Sequence, residues 1–167
     1  PSSPLTDTVP ATREPTVHDL LRHTAGFARC SGRPDGASAE SAVDAAYLAA
    51  DLFDPATSLT DMMTKLAPIP LRHQPGAEWE YSISADIQAR LVEILSGLPI
   101  DRFLQSRVFA PLGMTCSGYD VKDPSRLAAV HWWKDGRLVP CDDIHGYPDP
   151  ANVLLARADI DSYASNK

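Results

Sequence analysis

One stretch in the middle of the chain, residues 75–97, joins a turn, a short aromatic run and a long helical pattern. It opens with Pro-Gly, a turn signal, and continues with residues of extended and aromatic character up to Tyr81. A helix is predicted next, with Ser82 or Ser84 as its cap and Gly97 at its end. Its apolar positions recur at helical spacing and are Ile83, Ile87, Leu91, Ile94 and Leu95. A turn that leads an aromatic residue directly into a helix start holds that side chain rigidly, so the stretch singles out Tyr81.

Three helical patterns precede this stretch, and each begins at a hydroxyl residue that can cap a helix. Asp19 lies three residues after the first of these caps and approximates a capping box. The predicted helices run from Thr16 to before Gly26, from Ser41 to Phe53 and from Ser58 to before Pro68. A further helix after the central stretch carries Ile100, Phe103, Leu104 and Val108 on one side.

After Gly113 the pattern changes from helix to strand. Residues 126–133 and 138–140 are predicted strands joined through Asp-Gly, which is typical of a β-hairpin with a two-residue turn. The sequence therefore predicts a mainly α fold with a small β-hairpin. Its predicted parts are an irregular lead-in (1–14), a helical domain (15–120), the hairpin and its loop (121–147), and a tail (148–167) for which no structure is predicted.

Composition excludes two classes of partner. The formal net charge of −7 argues against nucleic acid, because binding phosphates requires a basic face. The sequence also contains no apolar run long enough to span a membrane. The first residues carry neither an initiating Met nor a signal-peptide pattern, so we expect the chain to be part of a longer one and read no localisation from it.

Two segments flank the central stretch and share its resemblance to one family. Residues 15–27 resemble the Thr-Val-x-x-Leu-Leu-x-His-Thr-Ser-Gly segment of the penicillin-recognising serine hydrolases, in the class C β-lactamase and carboxylesterase branch. Residues 75–97 resemble that family's Pro-Gly-x-x-(Trp/Phe)-x-Tyr-Ser run, followed by a helix that ends in Glu-x-x-Ser-Gly. Residues 108–115 resemble its Phe-x-Pro-Leu-Gly-Met-x-x-Thr segment. The three segments occur in the family's order, so the resemblance is specific although each segment alone is weak.

The resemblance implies both a fold and a chemistry. The fold is that of the helical domain that packs beside a mixed α/β domain in the serine β-lactamase-like fold. The chemistry is cleavage of a small-molecule ester or amide through an acyl-serine, with no metal and no organic cofactor. This segment would supply a catalytic tyrosine, Tyr81, and part of the substrate cleft. The remainder of the same polypeptide would then be its partner.

Two elements of the family's chemistry are missing from the sequence. No serine is followed three residues later by lysine, the Ser-x-x-Lys pattern that supplies the nucleophile and its base. The family's Lys-Thr-Gly-like strand is also missing. Residues 134–136, Lys-Asp-Gly, are similar to it in composition only, and we interpret them as a hairpin tip. A phenol ionises near pH 10 and works as a base near neutrality only beside positive charge, which the family takes from its lysines. Tyr81 is thus the single catalytic candidate, and the isolated chain is expected to be inactive.

Three single residues add expectations. Where the β-lactamase pattern has Tyr-x-Asn, this chain has Ile83, which removes a polar contact to a lactam side chain and favours an ester substrate. His23 is predicted to be structural, with its ring and Thr24 tying the helix end to the following loop. Trp79 is predicted to lie in the core.

A second hypothesis comes from another class of protein. The chain could be a non-catalytic helical binding or assembly module that kept this scaffold and lost its chemistry. Under either hypothesis an apolar face without its α/β neighbour favours self-association of the segment. A Ser-x-x-Lys pattern on a predicted helix, encoded upstream of Pro1, would support the enzyme, and its absence there would support the module.

Overall fold

The computed structural model of the chain describes Leu5, residues 7–28, 41–52 and 57–119, Asp123, Ala128 and residues 131–140. These residues are mostly helical, which confirms a mainly α fold with a small hairpin. The elements are α1 (Val17–Leu21), α2 (Ala42–Ala49), α3 (Leu59–Leu66), α4 (Ser84–Ser96), α5 (Ile100–Leu104), a π-helix (Gln105–Phe109), β1 (His131–Lys134) and β2 (Arg137–Pro140). The division into a lead-in, domain, hairpin and tail stays a prediction, and the tail lies outside the described residues.

The first three helices begin as their sequences predict. Thr16 caps α1 in a complete capping box, in which its hydroxyl accepts the N–H of Asp19 and the Asp19 carboxylate accepts the N–H of Thr16. Ser41 and Ser58 accept the corresponding N–H groups at the starts of α2 and α3. Helix α2 ends earlier than predicted, because the chain turns into the left-handed conformation at Asp51, where φ is +46°. Phe53, its predicted end, lies outside the described residues.

The start of α4 differs from the prediction. Its N-cap is Ile83, which makes no side-chain capping bond, so neither serine caps the helix. The hydroxyls of Ser82 and Ser84 instead lie 2.8 Å apart and bond to each other. The end of α4 is as predicted, because Gly97 adopts the left-handed conformation with φ +69° that a helix C-cap favours.

The last helical segment is not one regular helix. Helix α5 is followed by a π-helix, in which the Ala110 N–H bonds to the Gln105 carbonyl oxygen, five residues back, at 2.9 Å. Apolar spacing predicted a single face through Val108, and such spacing does not distinguish an α-turn from the wider π-turn.

The hairpin forms as predicted around its Asp-Gly turn. Strands β1 and β2 pair antiparallel, and Asp135 and Gly136 both have positive φ, +51° and +75°, as the primed turns of tight hairpins require. Residues 134–136 therefore form the hairpin tip, as we interpreted them. Trp133 pairs with Leu138, and both side chains are exposed.

Helix α4 lies at the centre of the helical packing, in contact with α1, α3 and α5. The core consists of Ala28, Tyr47, Leu52, Leu59, Met62, Leu66, Ile83 and Ile100. The carboxyl end of α4 is left uncovered, since Ile94 and Leu95 are exposed although they share the helix's apolar pattern. Among the described residues, no helix has the length and apolarity needed to cross a membrane.

Two distant segments, the end of α1 and the turn before α4, are joined backbone to backbone at Gly26. The Gly26 carbonyl oxygen accepts the N–H groups of Arg72 and His73 at 2.8 and 3.3 Å. Gly26 has φ +92°, and a Cβ placed there would overlap the His73 carbonyl oxygen. Only glycine therefore allows the two backbones to approach this closely.

We predict that Gly26→Ala destabilises the fold more than Gly97→Ala. Both glycines have positive φ, but a Cβ at Gly97 meets nothing within 4 Å. Gly97→Ala should cost about 1–2 kcal/mol for the left-handed backbone alone. Gly26→Ala should cost a further 1–3 kcal/mol or so, because the two backbones must move apart. Urea unfolding of both variants measures the difference, and equal losses would contradict the close approach.

Candidate active site

Residues 78–82 lead from the turn into α4 and present alternate side chains to opposite sides. Tyr81 is 61% exposed and Trp79 is 69% exposed, whereas Glu80 between them is half-buried. The Glu80 carboxylate bonds to Arg72 at 3.1 Å and to His73 at 2.9 Å. The prediction that Trp79 lies in the core is therefore wrong. Glu80 takes the inward side of the segment because its carboxylate pairs with Arg72 and His73.

Backbone hydrogen bonds fix this segment against the end of α1. The Gly76 N–H donates to the Thr24 carbonyl oxygen at 2.7 Å, and the Glu80 N–H donates to the His23 carbonyl oxygen at 2.9 Å. Together with the bonds at Gly26, they place the predicted motif of residues 15–27 directly beside the one that carries Tyr81. The two motifs are separate in the sequence, and the structure brings them into contact.

His23 is in direct contact with Tyr81. The two rings have their centroids 4.9 Å apart, with a 31° angle between their planes. Nδ1 of His23 accepts the N–H of Ser82 at 3.2 Å and lies 3.4 Å from the Ser82 hydroxyl. The sequence predicts a structural role for His23, with its ring bound to the loop that follows α1. The ring instead contacts Tyr81, 58 residues further along the chain, and no local sequence pattern predicts such a contact.

Thr24 does tie the end of α1, as predicted, and it does so through Asp19. The Thr24 hydroxyl donates to the Asp19 carboxylate at 3.2 Å. Arg13 donates two further bonds to the same carboxylate, at 2.6 and 2.9 Å, and the Thr16 hydroxyl donates at 2.6 Å. Chiefly Arg13, and then Thr16, hold the pKa of Asp19 far below its usual range, against the opposing effect of burial.

The helix start below Tyr81 is firmly packed. Ile83 is 2% exposed and belongs to the hydrophobic core, and Ser84 is fully buried. Ile83 therefore does not line the surface that Tyr81 occupies. Tyr81 is an exposed phenol at a tightly packed helix start, and such support is what a proton-transferring side chain requires.

Other possible sites in the described residues offer less. No group of three or more potential metal ligands comes together there. A cavity of about 650 Å³ is lined by the N-terminal stretch and by residues 41–43 and 70–74, and Tyr81 is not among its lining residues. Two of its lining residues, Arg72 and His73, have side chains that are already paired with carboxylates. Tyr81 and its surroundings remain the candidate site.

Comparison with known proteins gives consistent matches. The family model for "Beta-lactamase" matches residues 2–159. The chain is 30% identical over 141 residues to esterase EstB of Burkholderia gladioli, covering 78% of this chain and 34% of that protein. It is 33% identical over 114 residues to monacolin J acid methylbutanoyltransferase of Aspergillus terreus, covering 68% of this chain and 25% of that protein.

A solved structure gives the same fold. EstCE1, described as a hydrolase with promiscuous acyltransferase activity, superposes with a TM-score of 0.70 at 24% identity. The match covers 98% of this chain and 43% of EstCE1. The chain spans about a third of the length of EstB, and a smaller share of the transferase.

We predict that the Asp19 carboxylate makes the stability of the chain depend on acid pH. The pKa of Asp19 is lowered in the folded state, so its stabilising effect is complete above about pH 4, where the unfolded chain also ionises it. The effect is lost as the pH falls from there through the folded-state pKa. Asp19→Asn should lower the urea midpoint at pH 7, and the deficit should shrink towards pH 3.

Asp7→Asn, at an exposed carboxylate of the lead-in, controls for the change in net charge. It should leave the midpoint close to that of the wild type at both pH values. A deficit of Asp19→Asn that is the same at pH 7 and pH 3 would contradict the assignment.

Proposed function

The chain belongs to the beta-lactamase family of serine hydrolases, and we propose that it is the part of an esterase that supplies the catalytic tyrosine, Tyr81. The family model covers nearly the whole chain, and the relatives it resembles include an esterase. The observation that carries the proposal is the exposed phenol of Tyr81, held on a rigid helix start in the motif where the family places its tyrosine. Tyr81 and the exposed Trp79 beside it would form one wall of the substrate cleft.

The proposed reaction proceeds through an acyl-serine. A serine oxygen outside these 167 residues attacks the ester carbonyl carbon and gives up its proton to a base formed by lysine and Tyr81. The tetrahedral intermediate collapses, the carbon–oxygen bond to the leaving alcohol breaks, and Tyr81 returns a proton to that alcohol. Water then attacks the acyl-serine by the same route and releases the acid. The missing Ser-x-x-Lys, together with the share of the relatives that the chain spans, supports a nucleophile encoded elsewhere in the gene.

We propose an ester as the substrate class, with the remainder of the same polypeptide as the partner of this segment. The esterase among the relatives supports this choice. The expectation drawn from Ile83 adds nothing to this choice, because its side chain lies in the core and does not line the surface that Tyr81 occupies. A small-molecule ester therefore fits the segment better than a β-lactam.

Replacing the Tyr81 hydroxyl tests the catalytic role. In the complete protein, Tyr81→Phe should lower kcat by about 10²–10⁴-fold, the usual contribution of general acid–base catalysis. KM should change little, since the aromatic ring remains in the cleft wall. Hydrolysis of a p-nitrophenyl ester measures both constants.

Two controls accompany this measurement. Tyr119→Phe removes a hydroxyl from another partly exposed tyrosine and should leave kcat unchanged. The 167-residue segment by itself should show no turnover, and turnover abolished by Tyr81→Phe would reveal a nucleophile within it. Full activity of Tyr81→Phe in the complete protein would overturn the role of Tyr81. A complete protein without any Ser-x-x-Lys pattern would favour the non-catalytic helical module instead.

The substrate class has its own test. The complete protein should hydrolyse a short-chain p-nitrophenyl ester with a kcat/KM at least about 100-fold higher than that for a chromogenic cephalosporin. Such a ratio corresponds to some 3 kcal/mol of differential transition-state binding. Efficient cephalosporin cleavage would contradict the assignment of an ester substrate.

A further inference from the structure

His23 binds three consecutive residues of the candidate site. Its carbonyl oxygen accepts the N–H of Glu80 at 2.9 Å, and its Nδ1 accepts the N–H of Ser82 at 3.2 Å. Between these two bonds, its ring lies against the ring of Tyr81 with 4.9 Å between the centroids. One residue thus holds the backbone on both sides of Tyr81 and contacts the side chain itself.

His23 is itself held in place. Its own N–H donates to the Leu20 carbonyl oxygen at 3.2 Å, and the next N–H, that of Thr24, donates to the Asp19 carbonyl oxygen at 2.8 Å. The His23 backbone is left-handed, with φ +56°, a conformation that is uncommon for residues other than glycine. This geometry turns the ring away from α1 and towards the segment that carries Tyr81.

The role of the ring depends on one nitrogen. Because Nδ1 accepts a backbone N–H, the imidazole is neutral and carries its proton on Nε2. Ser82 is 8% exposed, so its N–H would be left without a partner in a poorly hydrated place if this acceptor were removed. The backbone would then have to move to satisfy the N–H, and Tyr81 would move with it.

We propose that His23 is a positioning residue for Tyr81, acting through the unprotonated Nδ1 that binds the Ser82 N–H. The proposal rests on the proposed function, in which Tyr81 transfers protons. A displacement of about 1 Å in a catalytic group can cost roughly 100-fold in rate. Loss of the acceptor should therefore act on kcat, while the binding surface and KM stay nearly the same.

Two substitutions separate the acceptor from the unusual backbone. His23→Gly keeps the left-handed conformation but removes both ring and acceptor. His23→Asn also tolerates that conformation and places an amide oxygen where Nδ1 now lies. In the complete protein, we expect His23→Gly to lower kcat about 10–100-fold. His23→Asn should restore kcat to within about threefold of the wild type.

Amide hydrogen exchange measures the bond between the Ser82 N–H and His23 Nδ1 without relying on enzyme activity. The Ser82 N–H should be protected in the wild type and in His23→Asn, and should exchange at least tenfold faster in His23→Gly. His18→Asn, at an exposed histidine of α1, is the matched control and should change neither kcat nor exchange. Equal losses of kcat in His23→Asn and His23→Gly, or an unchanged His23→Gly, would overturn the proposal.

A measurement on the wild type keeps the proposal testable if His23→Gly does not fold. The ¹⁵N NMR signal of His23 should show an unprotonated Nδ1 at neutral pH, and a protonated Nδ1 would overturn the proposal. Failure of the proposed function looks different. In that case Tyr81→Phe keeps full kcat, while the exchange and NMR measurements still report whether His23 holds the segment.

Discussion

The carboxylate of Asp19 is the group on which the arrangement of the candidate site depends. It closes the capping box of α1 and accepts bonds from Arg13 and from the Thr24 hydroxyl. Arg13 comes from the lead-in before α1, so a single carboxylate joins that stretch, the start of α1 and the loop after it. Five hydrogen bonds to one buried carboxylate fix its position more tightly than any apolar contact in this part of the chain could.

The position of Tyr81 follows from this anchor through backbone contacts. The side chain of Thr24 bonds to Asp19, and its carbonyl oxygen accepts the N–H of Gly76 in the turn. Its neighbour His23 binds the residues on either side of Tyr81. Ile83 at the helix start is packed within the hydrophobic core, which fixes that end of α4. Because these contacts fix the backbone on both sides of Tyr81, its phenol is held in one position, which fits the role proposed for it.

Sequence reasoning succeeded where the signal was local. The capping box at Thr16, the Asp-Gly turn and the helix end at Gly97 are each fixed by residues within a few positions of one another, and all three are confirmed. It failed where a distant partner decided the outcome. Trp79 is exposed because Glu80 pairs inward with residues of the preceding turn, and Ser82 does not cap α4 because it faces the His23 ring. Tyr81 was singled out from its motif, but the contact with His23 spans 58 residues and has no periodic signature.

The proposed role of Tyr81 requires the fold to hold its hydroxyl ready for a nucleophile encoded elsewhere in the gene. A crystal structure of the complete protein with a phosphonate bound covalently to its serine tests this most directly. We expect the Tyr81 oxygen to lie within hydrogen-bond reach, about 2.6–3.2 Å, of the serine oxygen or of the leaving-group position. A Tyr81 oxygen that faces away from the phosphonate, with another side chain in its place, would contradict it.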